Sequence, residues 1–145
     1  MNYRMILKSL GSVLLIEAAC MVPSLLVSVV YLQGDTGSFL MSIIILVLLG
    51  LGLRRIRTIT NDIYARDGFA IVALGWLLVS IFGALPFLIS GSVPSLVDAL
   101  FESASAFSTT GASIIREVEG LPKGIVFWRS FAHWMGGMGV LVLMI

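Results

Sequence analysis

Ser95-Leu96-Val97-Asp98-Ala99-Leu100-Phe101-Glu102-Ser103-Ala104-Ser105-Ala106-Phe107, followed at once by Ser108-Thr109-Thr110-Gly111-Ala112-Ser113, is the stretch on which the fold turns. A serine with an acidic residue three positions later opens it like a capping box, so residues 95–107 are expected to be helical. Such a helix is only about 20 Å long. A bilayer's hydrocarbon core is roughly 30 Å thick, so the segment either lies at the interface or enters the membrane and returns. The hydroxyl-rich, glycine-containing run behind it is not a helical pattern. What flanks the stretch decides between the two.

Working outward, Gly68 to Ser90 is uncharged and long enough to span, with Pro86 near its far end, where a kink is tolerated. Residues 123–145 form another apolar stretch, separated from the hydroxyl-rich run by Arg116, Glu117, Glu119, Gly120 and Pro122, a polar segment that belongs at a membrane surface. Upstream, Ser9 to Leu32 spans with Glu17 as its only charge, and Phe39 to Leu53 is a shorter uncharged span. The basic start, Met1 to Lys8, raises a signal peptide. The apolar run after it is longer than a signal core and has no small-x-small cleavage site, so it reads as a retained helix. Arg4 and Lys8 precede the first span, and Arg54, Arg55, Arg57 and Arg66 lie between the second and third. Basic residues mark the cytoplasmic side, which puts the N-terminus inside and the region after Ser90 outside. If the last stretch starts outside, residues 95–113 left the outer face and came back to it: a re-entrant half-helix and an irregular segment.

Composition agrees. Of 145 residues, 59% are hydrophobic and 12% charged, and the mean hydropathy is +1.08. These values exclude a soluble domain and a disordered chain. A net charge of +1 with no basic stripe excludes a nucleic-acid binder. Cys20 is alone and His133 is the only histidine, so neither an internal disulfide nor structural zinc is available.

Irregular backbone at membrane depth is tolerated only where it is buried in protein or lines an aqueous cavity. A half-helix aiming its C-terminal end inward favours a cation there. Carbonyls and threonine hydroxyls replace a cation's hydration shell, and Gly111 adopts backbone angles that turn successive carbonyls to one axis. Residues 108–113 therefore read as an ion-selectivity filter.

At this point the sequence resembles the Trk/Ktr/HKT superfamily of potassium transporters, closest to the bacterial Trk-type translocation subunit. The resemblance lies in Gly83-Ala84-Leu85-Pro86-Phe87, in Asp98-Ala99-Leu100-Phe101-Glu102-Ser103 through Ser108-Thr109-Thr110-Gly111-Ala112-Ser113, in Phe127-Trp128-Arg129, and in Trp134-Met135-Gly136-Gly137-Met138-Gly139. The two N-terminal spans also look like the Trk layout. The resemblance implies an all-α polytopic membrane protein with four membrane-pore-membrane repeats around one potassium pathway, of which this chain supplies one. Residues 1–67 are then a two-helix appendage with a cytoplasmic basic loop. Residues 68–145 are the first repeat: span 68–90, pore helix 95–107, filter 108–113 and an incomplete span 123–145. By matching position Thr109, Thr110 and Gly111 line the filter, with Ser108 and Ala112 at its ends and potassium as substrate. Ser108 and Ser113 stand where the bacterial subunit often has threonine, which keeps the hydroxyl.

The implied function is potassium translocation across the bacterial inner membrane, with no covalent chemistry, no enzyme activity and no cofactor. The implied partners are a cytosolic nucleotide-binding regulatory subunit and a second pore-forming chain in a dimer. Ile145 ends an apolar run without a cationic stop, and a lone repeat leaves filter carbonyls without partners, so the chain reads as one repeat in four plus the appendage. Alternatives are a self-contained subunit of a homotetrameric channel and a non-conducting membrane scaffold. Uncoupled flux and coupling to protons or sodium (symport) both stay open.

Other residues carry paired expectations. Glu17 inside a span costs about 2.5–3.5 kcal/mol if charged at the centre, and is either a protonated or hydrogen-bonded structural residue or a relay. Glu102 and Arg129 either brace the filter by a salt bridge, or Arg129 snorkels outward. Ser113 and His133 as a hydrolytic dyad lack a second base and an oxyanion donor set. Gly136, Gly137 and Gly139 let the last span pass close behind the filter. Trp76, Trp128, Tyr31 and Tyr64 suit interfacial belts. Asp35, Asp98, Glu102, Glu117 and Glu119 outweigh Arg116, Lys123 and Arg129 at the outer mouth, where they would concentrate cations.

Overall fold

The apolar runs form helices because in a membrane every peptide group must be bonded within its own segment. The structure, a computed structural model, describes residues 3–56 and 65–144, with side chains as far as Gly139. Regular structure among these residues is entirely helical: α1 Tyr3–Tyr31, α2 Thr36–Arg54, α3 Ala65–Gly83, α4 Leu85–Ile89, α5 Leu96–Phe107 and α6 Lys123–Met144. Arg57, Asn61, Asp62 and Tyr64, which belong to the expected basic loop and belt, lie outside the described residues. α1, α2 and the α3–α4 stretch Ala65–Ile89 are long and apolar enough to cross a membrane. The chain is a polytopic membrane protein.

The stretch expected as one span from Gly68 to Ser90 is two helices, broken at Ala84. Pro86 has no N–H to donate, and it sits in the first turn of α4, where that donor has no intrahelical acceptor anyway. Val93 N–H bonds Phe87 O at 3.2 Å, which turns the chain toward α5.

α1 and α2 pack through small residues. A Cβ added to Gly11 would stand 2.8 Å from Gly50 O, and one on Gly50 2.9 Å from Gly11 O, so both helices touch backbone to backbone. Their turn also holds α6: Gln33 Oε1 accepts from Lys123 N–H at 2.7 Å. Asp35, expected as a charge at the outer mouth, is 2% exposed and accepts from Ser28 Oγ, with its other oxygen against Gly124 in the first turn of α6. There it faces the positive end of that helix instead of solvent.

A single apolar core runs through all of this. Leu14, Ala18 and Met21 of α1 and Phe39 and Leu46 of α2 belong to the same cluster as Phe87, Ala106, Phe107, Ile125, Trp128 and Ala132. Trp128, expected in an interfacial belt, is fully buried and donates Nε1–H to Gly83 O at 3.0 Å. The carbonyl at the α3–α4 break thereby finds its donor, which pins the break against α6. Tyr31 is exposed, as a belt residue would be.

Candidate functional site

Ser95 is extended (φ −81°, ψ 128°) and its hydroxyl accepts from Asp98 N–H at 3.5 Å, so the serine half of the expected cap forms and starts α5. The last turn then overwinds and opens. Ser108 N–H bonds Ala104 O at 2.9 Å, Thr109 N–H bonds Ala106 O at 3.1 Å, and Thr110 N–H reaches back to Ser105 O at 3.1 Å. Thr109 has φ +57° and Gly111 φ +76°. Glycine adopts that region freely, as expected for Gly111. A β-branched residue does not, and such a conformation costs about 1–3 kcal/mol and persists only where surrounding structure over-determines it.

The over-determination comes from one side. Ser105 Oγ donates to Ala112 O at 2.6 Å, tying the segment to its own helix. Glu102, 1% exposed, accepts from Ser113 Oγ and from Ile114 N–H, each at 2.6 Å on Oε1, and from Arg129 Nε–H at 3.0 Å on Oε2. Arg129 therefore pairs with Glu102 and does not snorkel free. Burial disfavours the Glu102 carboxylate, but Ser113, Ile114 and the Arg129 guanidinium outweigh it and hold the carboxyl below its usual range. Ser113 Oγ also accepts from Ile115 N–H at 3.1 Å, so one hydroxyl and one carboxylate organise the whole exit from the segment.

Behind the segment runs α6. Gly136 lies against the Phe107 carbonyl, where any Cβ would overlap it. A Cβ on Gly137 would stand 3.8 Å from Thr109 Cγ2, and one on Gly111 4.0 Å from His133 Nε2. His133 Nδ1 is 3.1 Å from Arg129 O. The expected close passage is made at Gly136 and Gly137, while Gly139 instead faces Trp76. Phe107 and Trp128 meet edge to face at 6.2 Å. Ser113 is engaged by Glu102, so it is not placed as one half of a dyad with His133.

The opposite side of the segment is open. Ser108, Thr109, Thr110, Gly111 and Ala112 are exposed, and the Ser108 and Thr110 hydroxyls meet each other at 2.8 Å. Ser108, Thr110 and Ala112 border a cavity of about 640 Å³ that Trp76, Leu77 and Phe101 also line, whereas Thr109 and Gly111 lie toward Gly137 and His133 of α6. Ser108 to Gly111 thus follow α5 as one exposed run, and Glu102 with Arg129 holds the residues just beyond it, Ser113 and Ile114. Sequence reasoning missed Ser105 and Ser113 as ties. The missed signal is their spacing: a hydroxyl on the last turn of a short helix and another just past the glycine.

A family model described as TrkH, cation transport protein, matches residues 36–145. The chain is similar to the Trk system potassium uptake protein TrkH of Halomonas elongata, 38% identical over 148 residues, covering 99% of this chain and 30% of that protein. The protein of the same name in Escherichia coli K12 is 35% identical over 146 residues, again covering 99% and 30%. Among solved structures, the potassium transporter TrkH of Vibrio parahaemolyticus superposes with a TM-score of 0.91 at 38% identity, covering 99% of this chain and 31% of that one. The chain therefore spans about a third of the length of these relatives.

Proposed function

The chain belongs to the TrkH family of cation transport proteins, and on that premise we propose that it forms one wall of a potassium pathway across the bacterial inner membrane. Ser108, Thr109, Thr110 and Gly111 line that wall, with potassium as the transported substrate. Carbonyls and hydroxyls there replace the water that a potassium ion sheds on entry. Glu102 and Arg129 do not touch the ion. They hold the peptide groups that do.

The observation that carries this reading is the shape of residues 108–111: non-helical backbone with two left-handed residues, braced on one side and open on the other. An ordinary helix end needs neither a buried ion pair nor a strained threonine. The open side is where three similar units would complete the ring. The chain's coverage of about a third of its relatives favours one repeat in a longer polypeptide over a homotetramer. In the same reading the N-terminus is cytoplasmic, α6 is the second span of the repeat, the complete chain dimerises, and a nucleotide-binding regulatory subunit docks from the cytosol.

The test is growth of cells lacking potassium uptake on low potassium. The complete gene restores growth, and Gly111→Asp abolishes it while the protein still reaches the membrane. Restored growth with Gly111→Asp overturns the filter reading.

A further inference from the structure

α6 makes the close contacts behind Phe107, and its own start is held by the appendage. The turn between α1 and α2 supplies the hold. Gln33 Oε1 accepts from Lys123 N–H at 2.7 Å, which satisfies one of the peptide donors that the first turn of a helix leaves free. Gly124, buried, sits in a seat made by α1, α2 and that turn: a Cβ there would overlap Asp35 Oδ2 and stand 2.9 Å from Ser28 Cβ and 3.0 Å from Phe39 Cε2. The seat is itself tied together, because Ser28 Oγ donates to Asp35 Oδ1 and meets Thr36 Oγ1 at 2.9 Å. None of these contacts involves residues 108–113.

From the seat, α6 runs as one rod to the pore helix. Ile125 to Met135 contains neither proline nor glycine, the residues at which helices most often kink. Gly136, about 18 Å farther along the axis than Gly124, lies against the Phe107 carbonyl with no room for a methyl group. Between the two, Trp128 bonds the Gly83 carbonyl and Arg129 bonds the Glu102 carboxylate. These bonds act as a fulcrum. A sideways displacement of the start tilts the helix about them and reappears at Gly136, because close-packed contacts transmit strain instead of absorbing it.

We propose that the turn Gln33–Asp35 is a positioning element for ion passage: by seating the start of α6 it fixes where Gly136 stands behind Phe107, and with it the place of residues 108–111 beside the ion. This role rests on the reading of residues 108–111 as the wall of the pathway. Gln33 and Asp35 act only through α6.

The test is the ratio of rubidium to potassium uptake by the complete chain in cells lacking potassium uptake. Gly124→Ala pushes the start of α6 out of its seat, and the ratio is expected to change by about twofold or more, since ion preference follows the placement of coordinating carbonyls. Gln33→Ala should change it in the same direction and by less, and Gln33→Glu, which keeps an acceptor at the same reach, should retain the wild-type ratio. Gly11→Ala overpacks the appendage at Gly50 and leaves the seat alone, so its ratio should stay that of the wild type. An unchanged ratio in Gly124→Ala overturns the proposal, and so does an equal change in Gly11→Ala, which would show general loosening. Should Gly124→Ala fail to fold, the exposed Gln33 decides: equal ratios in Gln33→Ala and Gln33→Glu overturn it. Gly111→Asp keeps the two readings apart. If that variant abolishes growth while Gly124→Ala leaves the ratio unchanged, the pathway stands and the positioning role falls. If it restores growth, both fall.

Discussion

Glu102 and Glu17 are buried almost equally, at 1% and 3% exposure, and their surroundings differ in every other respect. Glu102 accepts from a hydroxyl, a peptide N–H and a guanidinium, all within 3.0 Å. Glu17 sits among apolar side chains, and neither of its oxygens has a hydrogen-bond partner among the described residues. The region around Glu102 concentrates polar partners because it must hold a strained segment in one shape. The region around Glu17 has only to join two helical layers, which apolar packing and glycine contacts accomplish. Polarity in this molecule follows the demand for backbone placement, not depth of burial.

The sharpest way to break that contrast is Arg129→Met. It leaves a buried carboxylate without its cation, a loss of about 3–5 kcal/mol. Thermal unfolding in detergent should fall steeply and rubidium uptake should vanish. The added change Glu102→Gln should recover part of the unfolding temperature, because no bare charge remains. An unchanged unfolding temperature in Arg129→Met would mean the brace carries no load.

Next are two glycines, one from each region. Gly136→Ala drives a methyl group into the Phe107 carbonyl, and Gly11→Ala drives one into Gly50 O and Leu53 Cβ. Overpacking costs about 1–3 kcal/mol in either place. Both variants should unfold earlier, but only Gly136→Ala should alter the ratio of rubidium to potassium uptake. Equal effects on that ratio would dissolve the distinction between the regions.

Ser113→Ala is smaller, about 1 kcal/mol, because Ile114 N–H and Arg129 remain on the carboxylate. It also has a pH signature. A carboxyl held low in the folded state adds stability at neutral pH and loses it as pH falls through its folded value. Removing the Ser113 donor raises that value, so acid unfolding should begin at a higher pH than in the wild type.

The smallest effect belongs to Glu17→Gln. The amide keeps the shape of the side chain, and no hydrogen bond among the described residues is lost, so stability should shift by less than about 0.5 kcal/mol. A large loss would place Glu17 in the same class as Glu102.

Much of this was legible in the residues. Helix positions follow from uncharged runs of sufficient length, and the short α5 follows from Ser95 and the hydroxyl cluster after Phe107. The Glu102–Arg129 pair stood as one of two readings because side-chain direction on two separate helices depends on how those helices pack. Gly111 was expected in a special conformation, but Thr109 was not, since nothing in a threonine announces φ +57°. That angle belongs to the cap of α5, in which Thr109 N–H bonds Ala106 O and Thr110 N–H bonds Ser105 O. Trp128 looked like a belt residue because hydropathy cannot tell an indole at a bilayer surface from one donating to a broken helix. Asp35 looked solvated for a similar reason: the partners that bury it are Ser28, on the preceding helix, and Gly124, about ninety residues on.

In mechanical terms, residues 108–112 form a shelf bolted at the back. Glu102 fixes one end, Ser105 pulls on Ala112, and Gly136 of α6 stands directly behind the Phe107 carbonyl. The shelf is therefore stiff toward α6 and compliant toward the open side. Whatever presses on it from the front is resisted at Phe107 first, where α6 leaves no room. The width of a passage built from such shelves is then set by the spacing between their mounts, and tuning it means moving α6, not editing the shelf.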